Sequence, residues 1–447
     1  CFGVLGVARE IAGIYGNTFT SPEWYMKAPE FGEVSDLPLV IKNEIPDLCP
    51  RFMAVTMKEV TIKPSPIWIQ ALLTRVGIKP INNIVDVTNY LSYVTAQPLH
   101  AYDYDKVKER SNGDAKLVVR KHKKEEQIAL LNGKTITPRE DAIMIATDKE
   151  LVGVAGVMGG TTTEVDENTK NIIIEVANFD MYSIRRTSMA HGLFTDAVTR
   201  FNKGQSPLQT DRVIAEAMKM MQELAAAEQA SNVIDNKQLP DHYHKSGYTI
   251  HGPIDIETQF INARLGLHLT DNEVCKLLNN VEFDAHPAAG PLCVTAPFWR
   301  TDIEIPEDIV EEVGRLLGFD KLPLELPKRS VTPTARDAYL SLKQSIRTTL
   351  SSLGANEVLT YSFVHRKLLE RSEQNPDQAF KINNALSPDL HYYRLSMTPS
   401  LLDKVHANIK SGHDEFAIYE LGKVHSTTEI DEEKVPREFG RVGFVYA

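Results

Sequence analysis

Ile172-Ile173-Ile174-Glu175-Val176-Ala177 places one carboxylate inside an apolar strand. Such a group is costly to bury without a partner. Glu175 therefore either belongs to a site or caps a neighbouring backbone turn, and the residues alone leave both readings open. Outward from this strand, similar segments recur. Lys116 to Arg120, Ala142 to Thr147 and Leu151 to Val157 read as strands separated by turns. Upstream, Met53, Val55 and Met57 alternate with smaller or polar residues, and Val60 and Ile62 continue the alternation. Ser65-Pro66 opens a helix, with Ser65 as N-cap and Pro66 in the first turn. Trp68, Leu72, Leu73 and Val76 give its expected buried face, and Gly77 ends it. A helix from about Asp211 to Ala226 closes the block, and the polar stretch from Asn232 to Lys245 reads as a linker.

The flanks add smaller units. Residues 1–38 begin with a helical pattern in which Val4, Val7, Ala8, Ile11 and Ile14 recur, with Gly16 at the C-terminal cap. Residues 246–328 hold helices near Ile256–Leu265 and Asp271–Asn279, strands at Glu282–His286 and Leu292–Pro297, and a last helix from Pro306 to Leu317 stopped by Gly318. From Thr334 to Ser352 the spacing predicts a long amphipathic helix, followed by strands at Glu357–Phe363 and Phe416–Leu421. The pattern is that of an α+β multidomain chain without tandem repeats.

The totals bound the function. With 447 residues and 42% hydrophobic content, several cored domains fit. No apolar run is long enough to span a bilayer. A net charge of −11 disfavours a chain that clamps nucleic acid unaided. Cys1, Cys49, Cys275 and Cys293 are scattered without a C-x-x-C pair, as expected of reduced thiols in a cytosolic protein rather than a zinc or redox site. The start at Cys1 and the strand-like end at Arg441 to Ala447 suggest a fragment of a longer chain.

Several constellations are candidates for chemistry. Lys79-Pro80-Ile81-Asn82-Asn83-Ile84-Val85-Asp86-Val87-Thr88-Asn89-Tyr90 and Gln97-Pro98-Leu99-His100-Ala101-Tyr102-Asp103 supply amides, hydroxyls and an imidazole. Thr88, Asn89 and His100 suit a polar ligand, or else these groups satisfy turn backbone within the fold. Gly153-Val154-Ala155-Gly156-Val157-Met158-Gly159-Gly160 is either a close-approach surface or a tight turn, and it is not a phosphate loop. Ser183-Ile184-Arg185-Arg186-Thr187 and the segment from Gly192 to Phe201 could meet an anion or form a solvated helix end. In Trp299 to Val313, Asp308, Glu311 and Glu312 share one helical face and Asp302 precedes it. Clustered carboxylates suit Mg²⁺, while acids at a helix start are also favoured by the macrodipole. No catalytic triad, H-E-x-x-H or P-loop signature is present.

Taken in order, the Pro80–Tyr90, Gln97–Asp103, Ala155–Gly160, Ser183–Thr187 and Trp299–Glu312 motifs closely resemble the bacterial-type phenylalanine–tRNA ligase beta subunit family over essentially the whole chain. The resemblance implies an N-terminal remnant at 1–38 and a mixed α/β tRNA-editing domain at 39–240. It implies a small helical, winged-helix-like domain at 246–328. Residues 329–447 would be an incomplete class II synthetase-like antiparallel sheet domain, inactive for aminoacylation. It further implies a cytoplasmic (αβ)₂ heterotetramer that charges tRNA(Phe), with no membrane or DNA contact. ATP would be bound by the alpha subunit, and Mg²⁺ would be shared with it through Asp302, Asp308, Glu311 and Glu312. The beta subunit would hydrolyse mischarged Tyr-tRNA(Phe), with Glu175 as partner of the phenol. Thr88, Asn89, His100, Gly159, Gly160, Thr195 and Ala197 would line the editing pocket. A non-editing scaffold for the alpha subunit is the alternative.

Two segments depart from the family. Its usual Thr-Glu-Ala-Ser-x-Arg-Phe-Glu-Arg-Gly reads Thr195-Asp196-Ala197-Val198-Thr199-Arg200-Phe201-Asn202-Lys203-Gly204 here. In Asn384-Ala385-Leu386-Ser387-Pro388, Ala385 stands where proline is common.

Overall fold

The computed structural model describes residues 2–239, 249–288 and 290–447. Cys1 and positions 240–248, which include the end of the expected linker, lie outside the described residues. The chain divides into two compact units, Cys1–Glu325 and Leu326–Ala447.

Two sheets organise the first unit. Their strands are β1 (Leu39–Asn43), β2 (Arg51–Lys58), β3 (Leu99–Asp103), β4 (Ala115–Lys121), β5 (Ile143–Ala146), β6 (Leu151–Val154), β7 (Met158–Gly159) and β8 (Ile172–Asn178). One sheet runs β1-β4-β5-β6-β7, with β1 and β4 parallel and the remaining pairs antiparallel. In the other, β8 lies between β2 and β3 and is antiparallel to both. Alongside them are helices α1 (Val4–Ile14), α2 (Ile67–Arg75), α3 (Asn83–Thr95), α4 (Met181–His191), α5 (Asp196–Phe201) and α6 (Thr210–Ala225).

The period of two along β2 and β8 creates the layers. Met53, Val55, Met57, Ile172, Ile174 and Val176 face one core, shared with Ile84, Val87, Leu91, Val213 and Ile214 of α3 and α6. Phe52, Ala54, Ile173 and Ala177 face the other core, shared with Leu117, Val119, Ile145 and Val152 of the first sheet. The central sheet is thus covered on both faces, which explains the near-continuous apolar run in β8. Each fully buried isoleucine there contributes roughly 1.5–3 kcal/mol of burial.

The N-D-V-T-N stretch is helix α3, and most of its polar residues build the fold. Asn82 caps the helix, its side chain accepting from the Ile84 and Val85 amides at 3.0 Å. The buried Asn83 donates to the Thr61 and Leu224 carbonyls and accepts from the Lys63 amide. The fully buried Asp86 accepts from the Ser65 hydroxyl at 2.6 Å and the Ile81 amide at 2.8 Å.

One helix expectation needs correction, and a second helix buries a face that its spacing did not indicate. Ser65 does not cap α2, because its hydroxyl is committed to Asp86, and the buried residues of α2 are Ile69 and Leu73. Trp68, Leu72 and Val76 are exposed. In α1 the bounds agree, but Val4, Val7, Ile11 and Ile14 are exposed while Gly6, Arg9 and Gly13 are buried. The small residues are what let α1 approach closely: a Cβ at Gly13 would sit 2.3 Å from Val281. Arg9 is buried because it is paired, donating to Glu282 at 2.6 Å and Ser21 at 2.7 Å.

Residues 254–319 gather strands Ile254–Ile256, Asp284–Pro287 and Leu292–Thr295 with helices Thr258–Leu265, Asp271–Asn279 and Pro306–Leu317 around Ile261, Val274, Leu278, Val294, Ile309 and Val313. In the second unit, helix Ala338–Ser352 accompanies a sheet in which Ala417–Val424 pairs in parallel with Asn356–Glu357 and antiparallel with Phe439–Tyr446. That sheet is mixed, where an antiparallel one was expected. The strand expected at Glu357–Phe363 is two short pieces, Asn356–Glu357 and Phe363–Val364. Arg394 and Glu420 form a buried pair at 2.8 Å, with Thr360 bonded to both.

Candidate functional site

Glu175, His100 and Tyr102 lie on the face of the central sheet that looks toward the first sheet. Alternation places Glu175 on the same side of β8 as Ile173 and Ala177, and the β8–β3 register sets Glu175 opposite His100 and Ile173 opposite Tyr102. Between the sheets is a cavity of about 470 Å³, within the range of small-molecule pockets. Asn89, His100, Tyr102, Gly159, Glu175, Thr195 and Ala197 are among its lining residues, with Leu131, Phe179 and Phe201 as apolar wall.

The electrostatics follow from burial. Glu175 is 6% exposed, and desolvation pushes its carboxyl up to about 7, partly opposed by a hydrogen bond from the Tyr102 hydroxyl at 2.5 Å. Burial also holds the Tyr102 hydroxyl protonated, and the Glu175 charge adds to that. Desolvation lowers the half-buried His100 imidazole to about 4, so it is neutral at physiological pH. The imidazole stands edge-on to the Tyr102 ring, with centroids 4.4 Å apart.

The glycines divide between cavity and scaffold. Gly159 faces His100: a Cβ there would fall 2.7 Å from Cε1 and 2.9 Å from Nε2. Gly160 does not line the cavity. Its amide donates to Val152 at 2.8 Å, and a Cβ would meet that same carbonyl. Gly156 has φ +64°, with Ile184 and Phe201 crowding the place of a side chain, so it serves the turn. Thr88 also stays out of the lining, its hydroxyl donating to the Val85 carbonyl at 2.8 Å.

The segment that departs from the family pattern is the rim. Thr195 caps α5 through the Val198 amide and donates to the Val157 carbonyl at 2.8 Å, which ties the helix to the β6–β7 turn. Asp196 accepts from Tyr93 at 2.9 Å and Arg200 at 3.1 Å. Asn202 and Lys203 do not line the cavity. Arg185 and Arg186 are exposed on α4, with Ser183 and Thr187 buried beneath them. They form a solvated helix face.

The acids expected to hold Mg²⁺ do not fit a metal centre in this chain. Asp302 and Glu312 are both taken by Arg300, at 2.7 and 2.9 Å, and Glu312 also accepts from Arg315 at 2.6 Å. Burial raises the Asp302 carboxyl, and the Arg300 guanidinium more than offsets this, leaving it below the usual range. Asp308 caps the Pro306–Leu317 helix by accepting from the Glu304 and Ile305 amides at 2.8 and 2.9 Å. Glu311 is exposed and Glu312 buried, so the expected common face is split. Among the described residues, no group of three or more His, Cys, Asp or Glu side chains is placed to hold a metal ion. Clustered carboxylates need either a cation or a basic partner, and here the Arg300 and Arg315 guanidiniums are that partner.

Tyr102 lies within the Gln97–Asp103 motif, and no role was expected of it. The available signal was its spacing: two residues from His100 on a strand, hence on the same face. Leu131, Phe179 and Phe201 carried no such signal.

Among the described residues, no helix is long and apolar enough to cross a membrane. Three family descriptions match successive parts of the chain: a B3/4 domain over residues 48–226, a tRNA synthetase B5 domain over 254–319, and a phenylalanyl tRNA synthetase beta chain CLM domain over 322–447. The phenylalanine–tRNA ligase beta subunit of Bacillus thuringiensis subsp. konkukian is 34% identical over 442 residues, 98% of this chain and 52% of that protein. That of Fusobacterium nucleatum subsp. nucleatum is 30% identical over 447 residues, 100% of this chain and 54% of that protein. A solved N-terminal fragment of the phenylalanyl-tRNA synthetase beta subunit from Pyrococcus horikoshii aligns at a TM-score of 0.33 and 15% identity, covering 70% of this chain and 82% of that one, a likeness too slight to carry weight. The chain spans about half the length of the curated relatives it matches. With all three domain types in family order, and relatives aligned along nearly its whole length, the chain belongs to the phenylalanine–tRNA ligase beta subunit family.

Proposed function

We propose that the cavity between the two sheets hydrolyses Tyr-tRNA(Phe), and that the chain does this as part of a beta subunit supporting tRNA(Phe) charging by an alpha subunit. The observation that carries the reading is Glu175: a buried carboxyl on an apolar strand, facing a cavity large enough to admit an aminoacyl group. A pocket built to hydrogen-bond a phenol discriminates against phenylalanine far better than an apolar pocket can exclude tyrosine. The neutral His100 and Asn89 also line the cavity, as further polar groups for the esterified end or for an attacking water. Thr195 and Ala197 form the far rim. ATP and its Mg²⁺ belong, in this reading, to the alpha subunit's half of an (αβ)₂ assembly in the cytoplasm.

The test is deacylation. With the alpha subunit and tRNA present, the beta subunit carrying this chain should hydrolyse Tyr-tRNA(Phe) faster than Phe-tRNA(Phe), and Glu175→Ala should erase the difference. Equal rates on the two esters in the unmutated protein would favour a scaffold without editing. The observation behind that second reading is the altered segment, with Asp196 at the rim and Asn202 outside the cavity lining.

A further inference from the structure

We infer that Tyr102 is the positioning residue of this cavity: its hydroxyl clamps one oxygen of Glu175 so that the other is presented to a ligand hydroxyl. The inference deepens the editing proposal and rests on it for the ligand's chemistry.

The geometry supports a clamp. Tyr102 is 2% exposed and Glu175 6%, and they meet at 2.5 Å through Oε2 alone. Glu175 Oε1 has no hydrogen-bond partner among the described residues, yet it is not among the side-chain atoms sealed away without one. It is therefore open toward the cavity that both residues line. The Tyr102 ring is itself held, edge-on against His100 and within the core that packs between the sheets. A side-chain carboxyl turns readily about its last bond. With a fixed donor on one oxygen, that turning stops, and the free oxygen points in one direction. A phenol entering the cavity then meets an acceptor already oriented for it, and loses less in ordering the site. The titratable groups set around Glu175 are Tyr102 and His100 on β3 and the buried Cys49 thiol, with Asp196 at the cavity rim. Among the described residues, only Tyr102 bonds to the carboxyl.

The test uses Tyr102→Phe, which keeps the ring and its packing and removes only the hydroxyl. Binding of tyrosinamide and of phenylalaninamide to the chain is measured by calorimetry, with melting temperature as a check on folding. The chain should prefer tyrosinamide, and Tyr102→Phe should reduce that preference by roughly tenfold, the effect of a hydrogen bond to a charged group. Where the parent chain prefers tyrosinamide, an unchanged preference in Tyr102→Phe overturns the inference. A second readout does not depend on the ligand. The protonated Glu175 carboxyl is followed in the infrared against pH, assigned by subtraction of Glu175→Gln. Its midpoint should rise by about one pH unit in Tyr102→Phe, because the anion loses its donor. An unmoved midpoint overturns the clamp. If the midpoint moves but neither protein distinguishes the two amides, the clamp stands and the tyrosine-editing reading falls.

Discussion

Glu175 and His100 are register partners across the β8–β3 ladder, and burial disfavours the charged form of each. Their effects on stability run in opposite directions. Glu175 titrates at about 7 in the folded chain and near 4.5 when exposed, so between those values the folded state holds a proton that the unfolded state has lost. Its contribution to stability falls as pH rises through that window. His100 titrates at about 4 when folded and near 6.5 when exposed, so its contribution grows as pH rises from 4 to 6.5. Where the windows overlap, the two slopes offset each other. Glu175→Gln removes only the first. Relative to the parent chain it should therefore gain stability as pH rises from about 4.5 to 7, by on the order of 3 kcal/mol in all. Urea unfolding at several pH values measures this, and a difference constant with pH would refute it.

Gly159 is required by the imidazole beside it. Gly159→Ala should force His100 out of place, since the new methyl would stand 2.7 Å from Cε1. Overpacking of this kind costs about 1–3 kcal/mol. The expected result is a folded protein, melting a few degrees lower, with Tyr-tRNA(Phe) hydrolysis down by at least roughly tenfold. Full activity in Gly159→Ala would show that the His100 position does not matter to the reaction.

Asp86 sits in the most motif-like stretch of the chain, yet its work is structural. Asp86→Ala would leave the Ser65 hydroxyl and the Ile81 amide without their acceptor inside the fold. A loss of about 2–4 kcal/mol is expected. The selectivity between Tyr and Phe esters should survive in whatever protein remains folded. A stable Asp86→Ala that loses selectivity would place the residue in the site instead.

What the sequence disclosed depended on which physics was local. The β8 strand, the Pro306–Leu317 helix and the helix ending at Ala225 were readable because composition, spacing and caps all lie within the element. The exposure of the apolar stripe of α1 was not readable, because periodicity shows that a face is apolar, but not which face the neighbours cover. There Gly13 permits close approach and Glu282 pairs with Arg9, a partner 273 residues away. Glu175 stood out because a carboxyl in an apolar strand is anomalous by itself. Thr88 and Gly160 looked like site residues, and their polar groups went instead to Val85 and Val152. Local hydrogen bonds of that kind leave no trace in residue type alone.

The last prediction separates a metal centre from an ion-pair network at Asp302, Asp308, Glu311 and Glu312. Arg300 is 9% exposed and Glu312 5%, and the guanidinium joins Glu312 to Asp302 in a single cluster. Removing one partner of a buried pair strands the other charge, at a cost of about 3–5 kcal/mol. Arg315 still holds Glu312, so Arg300→Leu should fall at the low end, about 3 kcal/mol. Asp308→Ala should cost about 1 kcal/mol through the lost cap. The exposed Glu311→Ala should be near neutral, within about 0.5 kcal/mol. None of these differences should depend on Mg²⁺ when unfolding of the chain is followed with and without the cation, because Asp302, Asp308 and Glu312 already accept from guanidinium and backbone donors, which leaves Glu311 without companions for a metal site. Stabilisation of the chain by Mg²⁺ that disappears in both Asp308→Ala and Glu311→Ala would mean that these four acids rearrange into a metal site, and the ion-pair account would have to be given up.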